Sequence, residues 1–393
     1  MNLVVFSHLR WDFVYQRPQH ILSRLARQHP VVYIEEPVFD EGPAYLEQWT
    51  PASNVRVLRP HTPVRAEGFH DDQLSFLAPL IETHLRDHRI ADYAVWFYTP
   101  MALPLMAALE PSAVVYDCME EFSAGRSAPR QMQQRESALL RRADLVLTSG
   151  PSLHEARRSA NPCVICVPGG VDAAHFERRG ALGKRHLVAC AEELQGATLR
   201  PRLGYCGVID ARLDLDLLRT VADADPRWQI VMVGPVVDID PARLPQRPNI
   251  HWLGRQSYDL LPQLVAGWDV CLMPFALNEA TRHITPTKTL EYMAAGRAVV
   301  STAVHDIVAL HGDVVHVAAD PASFVRACRE ALDETAPMQA DRLRRMAASV
   351  SRHSWDGATR VIRQSLETAV RQAQTQRLFQ DRNLAEIAGH RAA

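Results

Sequence analysis

Short runs of apolar residues alternate with amphipathic segments of helical length along most of this 393-residue chain. The apolar runs are continuous rather than strictly alternating, which is typical of strands that a parallel sheet buries on both faces. Repeated strand–helix units predict such a sheet, with helices on both sides. In the first half of the chain, the predicted strands are residues 3–6, 31–34, 55–58, 93–97, 114–116, 145–148 and 164–167. The predicted helices between them include residues 18–28, 72–87, 101–109 and 130–142.

The sequence Pro168-Gly169-Gly170 interrupts this pattern and predicts a turn where the chain leaves one domain. A second strand series follows at residues 203–206, 230–233, 250–252, 270–273, 298–301 and 314–317. We therefore predict an α/β protein with two doubly wound, Rossmann-like domains, whose ligands lie at the C-terminal ends of the strands. The predicted domains are residues 1–175 and 201–350, joined by a linker region at 176–200, with a helix at 353–378 that packs back on the first domain.

Composition narrows the function classes. Hydrophobic residues make up 47% and charged residues 22%, which is typical of a folded protein and not of a disordered one. The net charge of −2 speaks against nucleic acid as a partner. The N-terminal apolar run is too short for a signal peptide, and no apolar stretch approaches the roughly 18 residues of a membrane span. Seven scattered cysteines indicate free thiols in a reducing compartment, so we expect a cytoplasmic protein without a metal site.

The segment 286–302, PTKTLEYMAAGRAVVST, carries the clearest chemistry. It follows an apolar strand, and we expect a helix that starts near Pro286 and ends at Gly296. A helix that starts at the end of a parallel strand presents free amides and a positive dipole, which suit phosphate. Lys288 in the first turn can reach a diphosphate, and Glu291 on the same face can accept both hydroxyl protons of a ribose. The alternative is that these two residues form a solvated ion pair.

This segment resembles the retaining glycosyltransferases of family four. The turn PGGVD followed by Phe176 and the later run HWLGRQSYDLLPQLVAGWDVCLMPF share the resemblance. The opening FSHLRWDFVYQRPQHILSRLA and the run VVYDCMEEF resemble bacterial members that assemble polysaccharides of the teichuronic acid type. The resemblance covers roughly residues 1–365. It implies a GT-B fold, in which two Rossmann-like domains face a central cleft, and transfer of a sugar from a nucleoside-diphosphate donor to an acceptor hydroxyl. Retention of configuration, a UDP-sugar as cosubstrate, and no metal or other cofactor are further implications.

By this resemblance, Glu291 binds the donor ribose, and the residues around Lys288 lie against the diphosphate. The family's paired-glutamate motif places its first glutamate at position 283, where this chain has His283, and Glu279 lies four residues earlier. The Arg and Lys that follow the first strand of the second domain in many relatives are also missing, which leaves Arg212, with Arg282 as a substitute. The predicted donor-binding residues are Gly207, Arg212, Arg255, Glu279, Arg282, His283, Thr287, Lys288, Thr289 and Glu291.

Polar residues also follow two strands of the first domain, at the edge where ligands are expected. Asp117 comes after the strand at 114–116, with Glu120 close behind, and His8 comes after the first strand. A carboxylate there can act as a base toward an acceptor hydroxyl, or it can cap the following helix. We predict Asp117, His8 and Glu120 as catalytic candidates. The predicted acceptor-binding residues are Arg10, Trp11 and Arg17, with a structural loop packed around the tryptophan as the alternative.

Other readings stay open at this point. A nucleotide-sugar epimerase or a dehydrogenase also uses Rossmann domains, but no strand here is followed by G-x-G-x-x-G. A non-catalytic GT-B partner in a polysaccharide assembly complex is compatible with His283, and a natural-product glycosyltransferase is a further alternative. The acceptor can be a glycan, a lipid-linked molecule or a small molecule. Arg17, Arg24 and Arg27 can rest on an anionic inner membrane as a peripheral contact, or they can line a solvated helix face.

Overall fold

The computed structural model describes residues 1–122, 130–177, 189–196 and 198–391, with side chains up to residue 379. Within it, the chain forms two compact units. The first unit comprises Met1–Ser149, Leu153–Val167 and the C-terminal part of the chain from Ala358. The second unit comprises Gly150–Ser152 and Pro168–Gly357.

The first unit is built on a sheet with the strand order β3-β5-β2-β1-β6-β7-β8-β9, and β4 pairs with the free side of β5. Its strands are β1 Asn2–Ser7, β2 Val31–Glu35, β3 Val38–Phe39, β4 Tyr45–Ala52, β5 Val55–Thr62, β6 Tyr93–Phe97, β7 Ala113–Cys118, β8 Leu145–Thr148 and β9 Val164–Cys166. All neighbouring strands are parallel except β4 and β5. The central strands are buried on both faces, as their continuous apolar sequences predict.

Helices cover the sheet of the first unit. They are Arg17–Leu25, Leu74–Asp87, Arg130–Arg142, Pro151–Arg157 and Trp355–Arg391, with a 3-10 helix at Pro100–Ala108. The Gln16 amide donates to Gln19 Oε1 at 3.1 Å and thereby caps the first helix. An α-helix was the prediction for residues 101–109, but the structure has a 3-10 helix there, and the ring of Pro104 inside it removes a backbone donor that an α-helix needs.

The second unit holds a parallel sheet with the strand order β12-β11-β10-β13-β14-β15. Its strands are β10 Arg202–Cys206, β11 Gln229–Val233, β12 Ile250–Trp252, β13 Val270–Met273, β14 Ala298–Thr302 and β15 His316–Ala318. Its helices are Ala173–Glu177, Leu215–Ala224, Leu261–Ala266, Lys288–Ala294, His305–His311, Pro321–Leu332 and Ala336–Arg352, with 3-10 turns at Pro241–Arg243, Tyr258–Leu260 and Glu279–Thr281. The two parallel sheets confirm the predicted α/β class.

Three buried or half-buried arginines donate hydrogen bonds to carbonyl groups at the C-terminal ends of helices in the second unit. Arg202 donates to the carbonyl oxygens of Gln195 and Thr198, at the end of the helical segment 189–195. Arg297 donates to the carbonyl of Ala266 at 2.6 Å, and Arg342 donates to that of Gly296 at 3.1 Å. The last carbonyls of a helix have no partner within it, so these guanidinium groups supply the missing donors.

The unit boundaries differ from the predicted domain boundaries. The first strand–helix series ends at Val167 rather than at residue 175, and Phe176 lies in the hydrophobic core of the second unit. Part of the predicted linker also belongs to the second unit, where Gln195 is buried; residues 178–188 lie outside the described part of the chain. The C-terminal helix is longer than predicted. Within the first unit, its Arg377 donates to the carbonyl of Pro111 at 2.6 Å.

Gly204 sits at the centre of the second sheet, directly beneath the indole of Trp268. A Cβ atom on this glycine would lie 1.9 Å from Trp268 Cδ2, which is far inside contact distance. The indole is held in place because its Nε1 donates to Gln195 Oε1 at 2.9 Å. Only glycine therefore fits at this strand position, because the Trp268 indole fills the space where a Cβ atom would lie.

We expect Gly204→Ala to destabilise the second unit by about 3 kcal/mol, because an added methyl in a packed core forces its neighbours to move. The measurement is thermal unfolding followed by circular dichroism. Gly42→Ala is the control, since its Cβ would have its nearest neighbour at 3.6 Å. Equal unfolding temperatures for the two variants would show that the indole is not fixed as described.

Candidate functional site

The helix Lys288–Ala294 begins at the end of a loop that holds the residues predicted to contact a diphosphate. It ends in a Schellman turn: the Gly296 amide donates to the Met293 carbonyl at 2.9 Å, and the Arg297 amide donates to the Tyr292 carbonyl at 3.0 Å. Gly296 has φ +70°, a left-handed conformation that glycine adopts without strain. The predicted helix end at Gly296 is confirmed, and the helix starts two residues after Pro286.

Lys288 and Glu291 form a close ion pair, with 2.7 Å between Nζ and Oε2. Only 18% of the lysine side chain and 7% of the glutamate side chain are exposed, so the solvated-pair alternative is wrong. Burial by itself lowers the pKa of Lys288, but the Glu291 carboxylate outweighs burial and holds this pKa above its ordinary value. The lysine is therefore a cation at neutral pH. Removing two charges from water is costly and adds little to stability, which favours a functional role for the pair.

The end of strand β10 lies against this pair. The Cys206 amide donates to the Tyr292 hydroxyl at 2.7 Å, which fixes the helix to the strand. Burial raises the pKa of the Cys206 thiol to about 11, with Lys288 opposing the rise and Glu291 adding to it. The thiol therefore stays neutral, and it lies within electrostatic reach of both charged groups. Gly207 follows directly, so its backbone is close to the pair.

Gly234 lets the ends of strands β10 and β11 approach each other. A Cβ atom on Gly234 would lie 1.8 Å from the Gly207 carbonyl oxygen. The Gly207 amide donates to the Val233 carbonyl at 2.9 Å. The two strand ends are therefore joined by glycine backbone, without side chains between them.

Asp306 organises the loop before the helix. This carboxylate is 1% exposed, and it accepts hydrogen bonds from the Thr285 hydroxyl at 2.5 Å and the Ser152 amide at 3.0 Å. Gly150 makes room for them, because a Cβ there would lie 1.8 Å from Thr285 Oγ1. Sequence reasoning missed Asp306, whose only signal is its place directly after a strand, at the start of the helix His305–His311.

The predicted Pro168-Gly169-Gly170 turn lies against the same loop. A Cβ on Gly169 would lie 2.4 Å from Thr287 Cγ2, and a Cβ on Gly170 would lie 2.5 Å from the Trp355 backbone nitrogen. The Val171 amide donates to the His353 carbonyl at 2.9 Å. This turn thus packs against Thr287 on one side and against the backbone at Trp355 on the other.

The remaining predicted donor residues differ in their contacts and in their burial. Arg212 binds Asp210 through Nε at 3.0 Å and through a terminal nitrogen at 2.6 Å. Glu279 and Arg282 lie on an exposed 3-10 turn, 3.7 Å apart. Half-buried His283 follows that turn, and Arg255 is exposed beside Gly254. Thr289 is completely buried, so its hydroxyl does not reach the surface.

In the first unit, Asp117 and Arg17 form a buried ion pair. Arg17 Nε lies 3.1 and 3.2 Å from the two carboxylate oxygens of Asp117, and Arg17 also donates to the Val167 carbonyl at 2.8 Å. Burial raises the pKa of Asp117 in spite of this cation, which acts in the opposite direction. Both side chains are buried in this arrangement, since 4% of Arg17 and none of Asp117 is exposed.

His8 directly follows strand β1. Its ring contacts Phe122 edge-on, with 5.2 Å between the ring centres. Burial lowers the pKa of His8; Glu120 and a hydrogen bond to the Tyr98 backbone oppose this. Its Nδ1 is buried and has no hydrogen-bond partner among the described residues. The neutral ring can accept a proton there.

Arg10 and Trp11 meet at Glu35, a residue that sequence reasoning missed. Glu35 is completely buried, accepts from the Trp11 amide at 2.7 Å and pairs with Arg10 at 3.2 Å and with Arg59 at 2.7 Å. Trp11 packs edge-on against Tyr33 with 5.0 Å between ring centres. The Glu35 carboxylate thus binds the loop after strand β1 at both Arg10 and Trp11.

Within the described ranges, no cluster of three or more histidine, cysteine, aspartate or glutamate side chains has the arrangement of a metal centre. In the same part of the chain, no helix is both long enough and apolar enough to cross a membrane.

Part of this chain is similar to a known family of enzymes. Residues 200–334 match the family model "Glycosyl transferases group 1". The teichuronic acid biosynthesis glycosyltransferase TuaH of Bacillus subtilis (strain 168) is 25% identical over 292 residues, which is 69% of this chain and 72% of TuaH.

Solved structures extend the likeness to nearly the whole fold. Sucrose-phosphate synthase from Thermosynechococcus elongatus superposes with a TM-score of 0.70 at 14% identity, over 93% of this chain and 98% of the synthase. Anabaena HepE in complex with UDP and glucose gives 0.66 at 14% identity, over 93% and 99%. The chain therefore has the GT-B fold, and its residues 200–334 match the group 1 glycosyltransferase domain.

Proposed function

We propose that this glycosyltransferase moves a sugar from a UDP-sugar to an acceptor hydroxyl, with retention of configuration, during assembly of a cell-surface polysaccharide. The buried Lys288–Glu291 pair at the end of strand β10 is the observation that carries the proposal. Two relatives support the proposed pathway and the proposed donor: TuaH is named for teichuronic acid biosynthesis, and HepE was solved with UDP and glucose.

In this proposal, the two charged residues bind different parts of the nucleotide. Glu291 uses Oε2 for Lys288, which leaves Oε1 to accept hydrogen bonds from the ribose hydroxyls. Lys288 remains a cation and donates to the diphosphate. When the sugar bond breaks, negative charge grows on the leaving diphosphate, and a preorganised cation stabilises that charge without rearrangement.

We propose that the protein's own cations take the place of a metal ion and that no other cofactor takes part. Lys288 supplies one positive charge. Arg282 lies on an exposed turn, 3.7 Å from Glu279, and such a solvated pair is weak, so the arginine can move to a ligand at little cost. Arg212 would first have to leave its bidentate contact with Asp210, which makes it the less favoured of the two arginines.

On the acceptor side, we propose His8 as the base, with Asp117 as a positioning residue. Burial lowers the pKa of His8, so its ring is neutral near pH 7 and able to accept a proton. Glu120 raises that pKa and would stabilise the ring once it is protonated. Asp117 fixes Arg17, whose third contact is the Val167 carbonyl. Nothing in this arrangement requires a protein nucleophile.

A second candidate is a non-catalytic partner in a polysaccharide assembly complex. One observation favours it: His283 stands where the resemblance expects an acid, and the nearest acid, Glu279, is exposed and faces Arg282. Such a partner would bind the nucleotide but would not turn over the sugar donor, so binding and turnover have to be measured separately.

We expect Lys288→Ala and Glu291→Gln to weaken UDP binding by about ten- to a hundredfold, since each removes hydrogen bonds to a charged group. Isothermal titration of the purified full chain with UDP measures this. Arg227→Ala, which breaks an exposed pair with Asp225 in the same unit, is the matched control. Because loss of one partner also destabilises a buried pair, the unfolding temperature without UDP is recorded for each variant. Unchanged UDP affinity in folded variants would exclude the assigned donor site.

We expect turnover of a UDP-sugar in the presence of EDTA, with the anomeric configuration of the donor kept in the product. Proton NMR of the product reads the anomeric coupling directly, and UDP release gives the rate. Glu291→Gln is the low-activity control. A product of inverted configuration would refute retention, and UDP binding without any turnover would favour the non-catalytic partner.

We expect Thr285→Val to raise the KM for the UDP-sugar several-fold while the unfolding temperature changes little. The substitution keeps the side-chain shape but removes the donor to Asp306, so the loop before Lys288 loses its fixed position. Thr220→Val, which removes an exposed bond to the Asp216 carbonyl, is the control. If the two variants have the same KM, Asp306 has only a structural role.

A further inference from the structure

We infer that one face of the β4–β5 hairpin binds a neutral oligosaccharide and holds the acceptor glycan. We call this surface the hairpin face; its residues are Tyr45, Glu47 and Trp49 of strand β4 and Arg59 and His61 of strand β5. The inference rests on the proposed function, since it chooses among the glycan, lipid-linked and small-molecule acceptors that a glycosyltransferase can use.

The register of the hairpin brings these side chains together. Tyr45 pairs with His61, and Glu47 pairs with Arg59. Alternate residues of a strand point to one side, and Leu46, which lies between them, packs on the hydrophobic core of the first unit. The odd-numbered side chains therefore point away from that core, on the opposite side of the sheet.

Aromatic rings and polar groups alternate along this face. The rings of Tyr45 and His61 are stacked, with 4.5 Å between centres and 7° between planes. The Arg59 guanidinium lies over the Trp49 ring at 4.8 Å. Between the two rings of strand β4, Glu47 accepts from His61 at 3.2 Å. Tyr45 remains 45% exposed and Glu47 48% exposed, so both can meet a ligand.

This alternation matches the surface of a sugar chain. A pyranose ring has a flat apolar side of C–H groups, which fits the electron-rich face of an aromatic ring, and a rim of hydroxyls, which need hydrogen-bond partners. Tyr45 and Trp49 are four strand residues apart, about 14 Å at ~3.4 Å per residue. One monosaccharide cannot bridge that span, whereas a short oligosaccharide can.

The charges of the hairpin face favour a neutral chain. Its central cation, Arg59, is already shared by Glu35 at 2.7 Å, Asp12 at 3.3 Å and Glu47 at 3.7 Å. Asp40 accepts from the Tyr45 hydroxyl at 3.2 Å. The exposed carboxylates can accept bonds from sugar hydroxyls, but they would repel a phosphate or an acidic sugar.

The hairpin face is continuous with the predicted acceptor residues. Glu35 binds Arg59 with the same oxygen that pairs with Arg10, and its other oxygen accepts from the Trp11 amide. Asp12 then contacts Arg59 from the same loop. An acceptor that extends beyond the loop after strand β1 can therefore continue along the hairpin.

The test uses the full chain and hexamers of a neutral α-glucan, a neutral β-glucan and N-acetylglucosamine as probes, in isothermal titration and in protein fluorescence. We expect binding of at least one neutral hexamer. Trp49→Ala and Tyr45→Ala should weaken it by about tenfold, and Trp49→Phe should restore most of it. Phe379→Ala, which removes an exposed ring from the C-terminal helix, is the matched control.

Three results would overturn the inference: no neutral hexamer binds, the Ala variants bind as well as the unaltered chain, or an oligogalacturonate hexamer or dodecyl phosphate binds more tightly than the neutral probes. UDP binding is measured in parallel and should stay unchanged in these variants. If the unaltered chain binds a glycan but not UDP, the proposal of a UDP-sugar donor is refuted, whereas glycan binding by the hairpin face is supported.

Discussion

The buried ion pair between Lys288 and Glu291 is the interaction on which the donor half of the molecule depends. Two charges at this depth are tolerated only if their surroundings hold them at a fixed distance. The helix that carries them is fixed to strand β10 through Tyr292, and Arg342 holds the turn that follows the helix through the Gly296 carbonyl. Asp306 fixes the loop in front of it. The neighbouring side chains and glycines of the second unit thus serve to keep one cation and one carboxylate in place.

The first unit contains a second buried ion pair, between Arg17 and Asp117. Arg17 donates through Nε to both oxygens of Asp117 and through Nη1 to the Val167 carbonyl, but its Nη2 is buried and makes no hydrogen bond among the described residues. Lys288 has three protons and one close carboxylate oxygen, so it keeps donor capacity for a ligand. Both pairs therefore keep a donor that the protein does not use. They differ in exposure, because 18% of Lys288 and 7% of Glu291 are exposed, against 4% of Arg17 and none of Asp117. A ligand can therefore reach the Lys288–Glu291 pair more readily.

The sequence predicted the parallel strands well because both of their faces are buried. Strands 93–97, 145–148, 250–252 and 270–273 have the observed bounds. The pattern missed strand β4, YLEQWTPA, because one of its faces is solvated and its residues are mixed. The sequence also could not predict which charged residues form ion pairs. Arg17 and Asp117 are 100 residues apart, and nothing in the sequence around either residue indicates that they are in contact. The Lys288–Glu291 pair was predictable because both members lie on one helical turn.

The difference between the buried parallel strands and strand β4 also explains where acceptor recognition can arise. A parallel strand with helices on both sides has no face to offer, so its contribution to a site is limited to the residues at its C-terminal end. Strand β4 is antiparallel and pairs with β5 at the edge of the sheet, and each of its residues is exposed or half-buried. Changes at the exposed residues Tyr45 and Glu47 therefore leave the packed layers untouched. A surface of this kind can change its ligand while the donor site and the fold stay constant.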